Sequence, residues 1–167
     1  MKVDFKDLKE VVPHKSQNGC FSSAESSPIN KQLKLYTDGN KLYTQFQALP
    51  HHVGWGNMIH GGIFATILDE IMGLEAVLLK RMICFTKDLH ITYKKPCYKE
   101  DTYTIITTFD SKSENNIIIR GEVYDSGSNI CVLGMGEYRL ITEQQAIQKM
   151  LLPPEHISKL IAYIKEF

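Results

Sequence analysis

Residues 60–80 read His60-Gly-Gly-Ile-Phe-Ala-Thr-Ile-Leu-Asp69-Glu-Ile-Met-Gly-Leu-Glu75-Ala-Val-Leu-Leu-Lys80. Ile63, Ile67, Ile71, Leu74 and Leu78 recur at spacings of three and four, and Phe64, Leu68, Met72 and Leu79 fill the adjacent stripe. Two neighbouring apolar stripes leave little circumference for water, so the spacing predicts a buried helix over about residues 61–80. The segment cannot be a membrane span, because Asp69, Glu70 and Glu75 would have to sit in hydrocarbon.

On both sides of this helix the period changes to two. Upstream, Leu33, Leu35, Leu42, Tyr43 and Phe46 flank the turn Asp38-Gly-Asn40, the pattern of a hairpin. Downstream, Thr86–Tyr93 alternates Leu89, Ile91 and Tyr93 against Asp88, His90 and Thr92, and stops at Lys94-Lys-Pro96, where proline removes a ladder donor. Further strands are expected at 101–110, 117–124 and 130–141, separated by turns at 111–116 and 125–129. One buried helix within a run of hairpin-linked strands is an α+β domain, with an antiparallel sheet wrapped around a long central helix. Outside it, residues 1–32 read as an N-terminal arm, with a short helix over Asp4–Val12 ended by Pro13 and a polar loop over 16–28. Residues 143–167 read as a C-terminal extension, capped by Thr142-Glu-Gln-Gln145 and carrying the apolar stripe Ile157, Leu160, Ile161 and Ile164, which docks on the sheet. The domain proper then spans 33–142.

Composition narrows the function classes. In 167 residues, 43% hydrophobic and 23% charged, nineteen basic side chains balance nineteen acidic ones. No net field draws this chain to nucleic acid or to an anionic membrane. The charged N-terminus has no apolar core of a secretory signal, and Cys20, Cys84, Cys97 and Cys131 form no C-x-x-C pair. The expectation is reduced thiols in a cytoplasmic protein with no metal site, His51 and His52 included.

Three features point to chemistry. His60-Gly61-Gly62 opens the helix, where the first N–H groups lack intrahelical acceptors and the peptide dipoles favour negative charge, so Gly61 N–H is a candidate oxyanion donor. Asp69 interrupts an apolar surface, on a face shared with Ala65, Thr66, Met72 and Gly73, and a carboxylate there needs a partner or a purpose. Thr86, at the start of the alternating strand, can supply a hydroxyl to that carboxylate or to water. Gly61 and Asp69 lie eight residues apart, about 12 Å along one helix axis, too far to address one carbonyl carbon. Two antiparallel helices across a twofold axis remove the difficulty. The spacing therefore predicts a homodimer with composite sites, a dimer of dimers remaining open.

The stretch Gly54-Trp-Gly-Asn-Met-Ile-His-Gly-Gly-Ile-Phe-Ala-Thr-Ile-Leu-Asp-Glu-Ile-Met-Gly73 resembles the helix signature of the hotdog-fold thioesterase superfamily, in its phenylacetyl-CoA thioesterase-like branch. Thr86–Pro96 resembles the strand that follows in that family, and Gly121–Asp125 and Gly134–Tyr138 resemble its last two strands. The resemblance covers about residues 33–142. It implies a hotdog fold and hydrolysis of an acyl-CoA to a free acid and coenzyme A, with no cofactor beyond the coenzyme A of the substrate. Carried over, the oxyanion donor falls on Gly61 and the general base or nucleophile on Asp69. The assisting hydroxyl falls on Thr86, and the residue shaping the start of the helix on His60. Asn57, Met58, Ile59, Gly62, Phe64 and Met72 are the candidates for substrate contacts. One position departs: where many relatives carry an asparagine that orients water, Gly54 stands here, as in a sub-branch whose strand threonine helps instead. Two other readings stay open, a non-catalytic acyl-CoA-binding or sensing protein and a dehydratase of the same fold.

Overall fold

The computed structural model describes residues 3–11, 33–151 and 153–165; the polar loop expected at 16–28, Pro13 and Cys20 fall outside them. The apolar stripes form one uninterrupted helix, α1 (Gly61–Lys80), with Phe64, Ile67, Leu68, Ile71, Met72 and Ala76 fully buried. Arg81 ends it in the left-handed conformation (φ 51°, ψ 39°), its N–H donating to Val77 O at 2.7 Å.

Seven strands curl around this helix. They are β1 (Lys9–Val11), β2 (Leu35–Thr37), β3 (Leu42–Gln47), and, beyond the hairpin β4 (Val53–Trp55) and β5 (Met58–Ile59), β6 (Ile83–Tyr93), β7 (Thr102–Lys112), β8 (Asn116–Tyr124) and β9 (Ile130–Ile141). The sheet order is β1-β2-β3-β7-β8-β9-β6, with every pairing antiparallel. This is the α+β architecture the alternation predicts, a large antiparallel sheet wrapped around a long helix. Two departures are local. The arm holds no helix over Asp4–Val11: Phe5–Asp7 makes one 3₁₀ turn and Lys9–Val11 adds a strand beside β2, because Val11 finds a buried slot there that a short solvated helix could not offer. The loop before α1 carries the small hairpin β4–β5, two short strands below the length at which alternation becomes visible.

Gly121 of β8 and Gly134 of β9, which face each other in register, lie under Leu68 and Met72 of the helix. A Cβ on Gly121 would stand 2.5 Å from Leu68 Cδ2, and one on Gly134 would stand 3.1 Å from Leu68 Cδ1. The paired glycines thus form the trough that receives Leu68 and Met72 and fixes the rotation of α1. Beyond β9, Thr142 caps α2 (Glu143–Gln148) through a reciprocal bond pair with Gln145 (3.2 and 3.0 Å), followed by α3 (Pro154–Lys165). Ile157 and Ile164 of α3 join Val77, Ile83 and Ala146 in a second small apolar cluster, so α3 docks on the end of α1 and the start of β6.

This topology leaves β6 at the sheet edge, with α1 running alongside it in the opposite direction. Tyr93 at one end of β6 reaches Gly61, and Thr86 near the other end reaches Asp69.

Candidate active site

The start of α1 is built by hydrogen bonds from its flanks. Ile59 N–H donates to Cys97 O at 2.8 Å and His60 N–H to His52 O at 2.9 Å, which fixes the chain just before the helix. His60 is the N-cap, and its Nδ1 accepts the Gly62 N–H at 3.0 Å while its carbonyl accepts Ile63 N–H at 2.9 Å. Gly61 N–H has no acceptor among the described residues. It is an open donor of this first turn, at the positive end of a twenty-residue helix.

A side chain at Gly61 would displace Tyr93 from its present place. A Cβ there would stand 2.9 Å from Tyr93 Oη, and that hydroxyl donates to Gly61 O at 2.6 Å. Gly54 is explained in the same way. A Cβ at that position would meet His60 atoms at 3.2 Å, so an asparagine there would press on the capping histidine. Around Gly61 opens a cleft of about 450 Å³, lined by Met58, Ile59, Phe64, Tyr93, Lys94, Lys95, Pro96 and Cys97. Lys95 is tied to Asp125, whose carboxyl is held at about 2 by that ammonium, whereas Lys94 has no ion pair among the described residues.

Asp69 is half-buried and faces β6. Its Oδ1 accepts the Thr86 hydroxyl at 2.8 Å and lies 3.4 Å from Tyr138 Oη, which also donates to Asp69 O at 3.1 Å. Its Oδ2 has no donor among the described residues. Asp69 does not line the Gly61 cleft; the two sit two turns apart on the same straight helix.

The structure thus brings Gly61, Met58, Ile59 and Phe64 together at one cleft and Asp69 and Thr86 together at another point of the helix. His60 and Gly62 serve the cap. Asn57 stands in the β4–β5 turn, its carbonyl accepting Lys99 N–H at 3.0 Å, away from the cleft lining. Met72 also stays out of the cleft: it is fully buried against the glycine trough. Phe64 reaches the cleft from the core, edge-on to Phe46 and Tyr103 with centroids 5.9 and 5.1 Å away. No cluster of three or more metal-ligating side chains occurs among the described residues, and the His52 ring is buried with Nδ1 accepting the Leu49 N–H at 3.0 Å.

Sequence reasoning missed Tyr93 and Tyr138, which the sheet delivers from strand positions reading as ordinary alternation. Of the carboxylates Asp69 and Glu75, it did not say which faces inward. The fully buried one is Glu75, 2% exposed, whereas Asp69 keeps a solvent-facing side. Burial pushes the Glu75 carboxyl up to about 7, drawn back only in part by Thr107 and the Phe109 backbone.

Residues 56–132, which hold both the Gly61 turn and Asp69, match the family model described as the thioesterase superfamily. Among curated relatives the chain is 32% identical over 94 residues to mouse (Mus musculus) acyl-coenzyme A thioesterase THEM4, a match covering 56% of this chain and 40% of the relative. It is 27% identical over 128 residues to FMP10 of Saccharomyces cerevisiae, an uncharacterized mitochondrial membrane protein, covering 72% and 52%. The chain therefore spans about half the length, or less, of these curated relatives. Among solved structures it shares its fold with a hypothetical thioesterase of Streptococcus pneumoniae TIGR4, crystallised with coenzyme A, at 14% identity, TM-score 0.62, and 67% and 88% coverage. No helix among the described residues is long and apolar enough to cross a membrane.

Proposed function

We propose that this chain is a thioesterase that hydrolyses acyl-CoA thioesters as a homodimer, each site combining Gly61 of one chain with Asp69 of the other. The observation that carries the reading is the Thr86–Asp69 hydrogen bond at the free edge of the sheet. It holds a carboxylate beside an eleven-residue strand that pairs with β9 on one side and with no strand on the other among the described residues, two turns away from the open Gly61 N–H. An exposed edge of that length is a template for pairing, and its own antiparallel copy satisfies it. Because α1 runs alongside β6, joining two β6 edges antiparallel sets two α1 helices side by side in opposite directions. Gly61 of one then approaches Asp69 of the other, which the 12 Å axial gap forbids within one chain.

In such a site the thioester carbonyl accepts the Gly61 N–H, and the helix dipole stabilises the oxyanion that develops. A main-chain donor of this kind contributes about 3 kcal/mol to the transition state. Asp69 takes a proton from water, or attacks the carbonyl itself; either route ends in a free acid and the coenzyme A thiol. Met58, Ile59 and Phe64 give the cleft an apolar wall for the acyl group, and Lys94 is the cation placed for the coenzyme A phosphates. The mouse relative's acyl-CoA thioesterase name and the coenzyme A in the streptococcal crystal support that substrate class. The free thiols of Cys84, Cys97 and Cys131 suit a reducing compartment, cytosol or mitochondrial interior.

The test is thiol release from a panel of acyl-CoAs by wild type and Asp69→Ala. Loss of a general base costs about 10²–10⁴ in rate, so the variant should lose nearly all turnover while keeping its melting temperature. Near-native turnover in the variant refutes the assignment. Binding of acyl-CoA without hydrolysis by the wild type selects the non-catalytic binding reading.

A further inference from the structure

Tyr138 has no part in the reading above, yet the fold makes particular room for it. The side chain is 1% exposed on β9, beneath α1. Its ring fills a slot between two glycines: a Cβ on Gly136 would stand 2.5 Å from the ring, and one on Gly73 would stand 3.3 Å from it. The slot aims the hydroxyl at Asp69, with the main-chain oxygen at 3.1 Å and Oδ1 at 3.4 Å. Burial, then the Asp69 carboxylate, hold that hydroxyl well above the usual tyrosine range, so it remains a proton donor. Thr86 approaches the same Oδ1 from β6 at 2.8 Å. Oδ1 thus receives the Thr86 hydroxyl in full and a share of the Tyr138 hydroxyl, whose proton is divided between it and the main-chain oxygen, and no donor among the described residues reaches Oδ2.

We propose that Tyr138 is a positioning residue for hydrolysis: with Thr86 it pins Oδ1 of Asp69, so that Oδ2 is the oxygen presented to the thioester or to the attacking water. This rests on the hydrolase reading. An aspartate has two rotatable side-chain bonds, and a carboxylate held by one donor can still swing about that contact. A second donor, anchored through a rigid ring to the helix main chain, removes that freedom. The reacting oxygen is then already oriented when substrate arrives, the condition under which proximity accelerates a reaction. Tyr138 touches neither substrate nor reacting atoms; it acts through Asp69.

Tyr138→Phe keeps the ring in its slot and deletes only the hydroxyl. The expected result is a kcat about tenfold lower, the scale of one lost hydrogen bond to a charged group, with KM and melting temperature near wild type. In an Asp69→Ala background the same substitution should leave the residual rate unchanged, because nothing remains to orient. A kcat within twofold of wild type, while Asp69→Ala abolishes turnover, overturns the Tyr138 role and leaves the hydrolase reading standing. An equal loss in both backgrounds also overturns it, as the mark of a merely structural tyrosine. A wild type that hydrolyses no acyl-CoA removes the hydrolase reading, and this role with it.

Discussion

Glu75→Gln tests the packing of α1 through its pH dependence. Glu75 sits at the floor of a cleft of about 680 Å³ between β1, the 37–42 turn and the last turn of α1, and neither carboxylate oxygen makes a well-formed hydrogen bond. Its carboxyl is raised from 4.5 to about 7, chiefly by burial. A carboxyl raised on folding binds protons more tightly when folded, so its ionisation opposes folding. The cost is absent below about pH 4.5, grows as pH rises, and is complete above about pH 7. At about 1.4 kcal/mol per pH unit, the full cost is about 3 kcal/mol at pH 8, against under about 1 kcal/mol at pH 5. Glutamine has nearly the same shape and carries no charge, so its own burial cost is independent of pH. The stability difference between Glu75→Gln and wild type should therefore move in favour of the variant by about 2–3 kcal/mol between pH 5 and pH 8. In a chain of this size that is about 5–10 °C in melting temperature. Paired thermal melts at the two pH values read it directly, since contributions from all other groups cancel. A difference that stays flat with pH would mean that Glu75 is solvated or paired in the folded protein, and would refute this placement of α1.

Three further outcomes follow from the geometry. Thr86→Val keeps the shape and deletes the donor to Asp69 Oδ1, and should lower kcat about tenfold with little change in KM, read by steady-state thiol release. Lys94→Ala should raise KM for acyl-CoA with kcat nearly unchanged, and the difference should shrink as salt rises, because it removes only a screened charge contact to phosphate. Gly121→Ala places a Cβ 2.5 Å from Leu68 Cδ2 and should cost about 1–3 kcal/mol of stability, measured by denaturant unfolding, as overpacking of a filled core does.

The legible parts of this sequence were those carried by long periodic segments. The α1 stripes gave a helix whose ends match the predicted ones, and the 130–141 strand fell at its predicted limits. Thr86 and Asp69, seventeen residues apart, were each singled out by local context, and the structure joins them by a hydrogen bond. What stayed illegible depends on register and on which side of α1 meets the sheet. Glu75 lies six residues after Asp69, about 240° further around the helix, and periodicity alone does not say which of the two faces inward. The Gly121–Gly134 trough decides it, and that pairing is visible only once β8 and β9 are in register. Tyr138 was hidden for the same reason: its meaning lies in Gly136 and Gly73, which a single strand pattern does not connect. The arm was misread because a three-residue strand carries no period, and its buried Val11 acquires a partner only when β2 is in place.

The central claim is that each active site draws on two chains, and a heterodimer tests it most directly. One subunit carries Asp69→Ala. The other carries Gly61→Pro, which deletes the oxyanion N–H at the first helical position, where proline is tolerated and the extended His60 before it is compatible. Tyr93 Oη, the far end of a half-exposed side chain, would have to move aside. Co-expressed with different tags and purified through both, this heterodimer pairs Gly61 of the first subunit with Asp69 of the second. Both homodimers should be inactive, and the heterodimer should show about half the wild-type turnover, one intact site of two. A folded heterodimer as inactive as its parents would mean that the sites lie within single chains, contradicting the account.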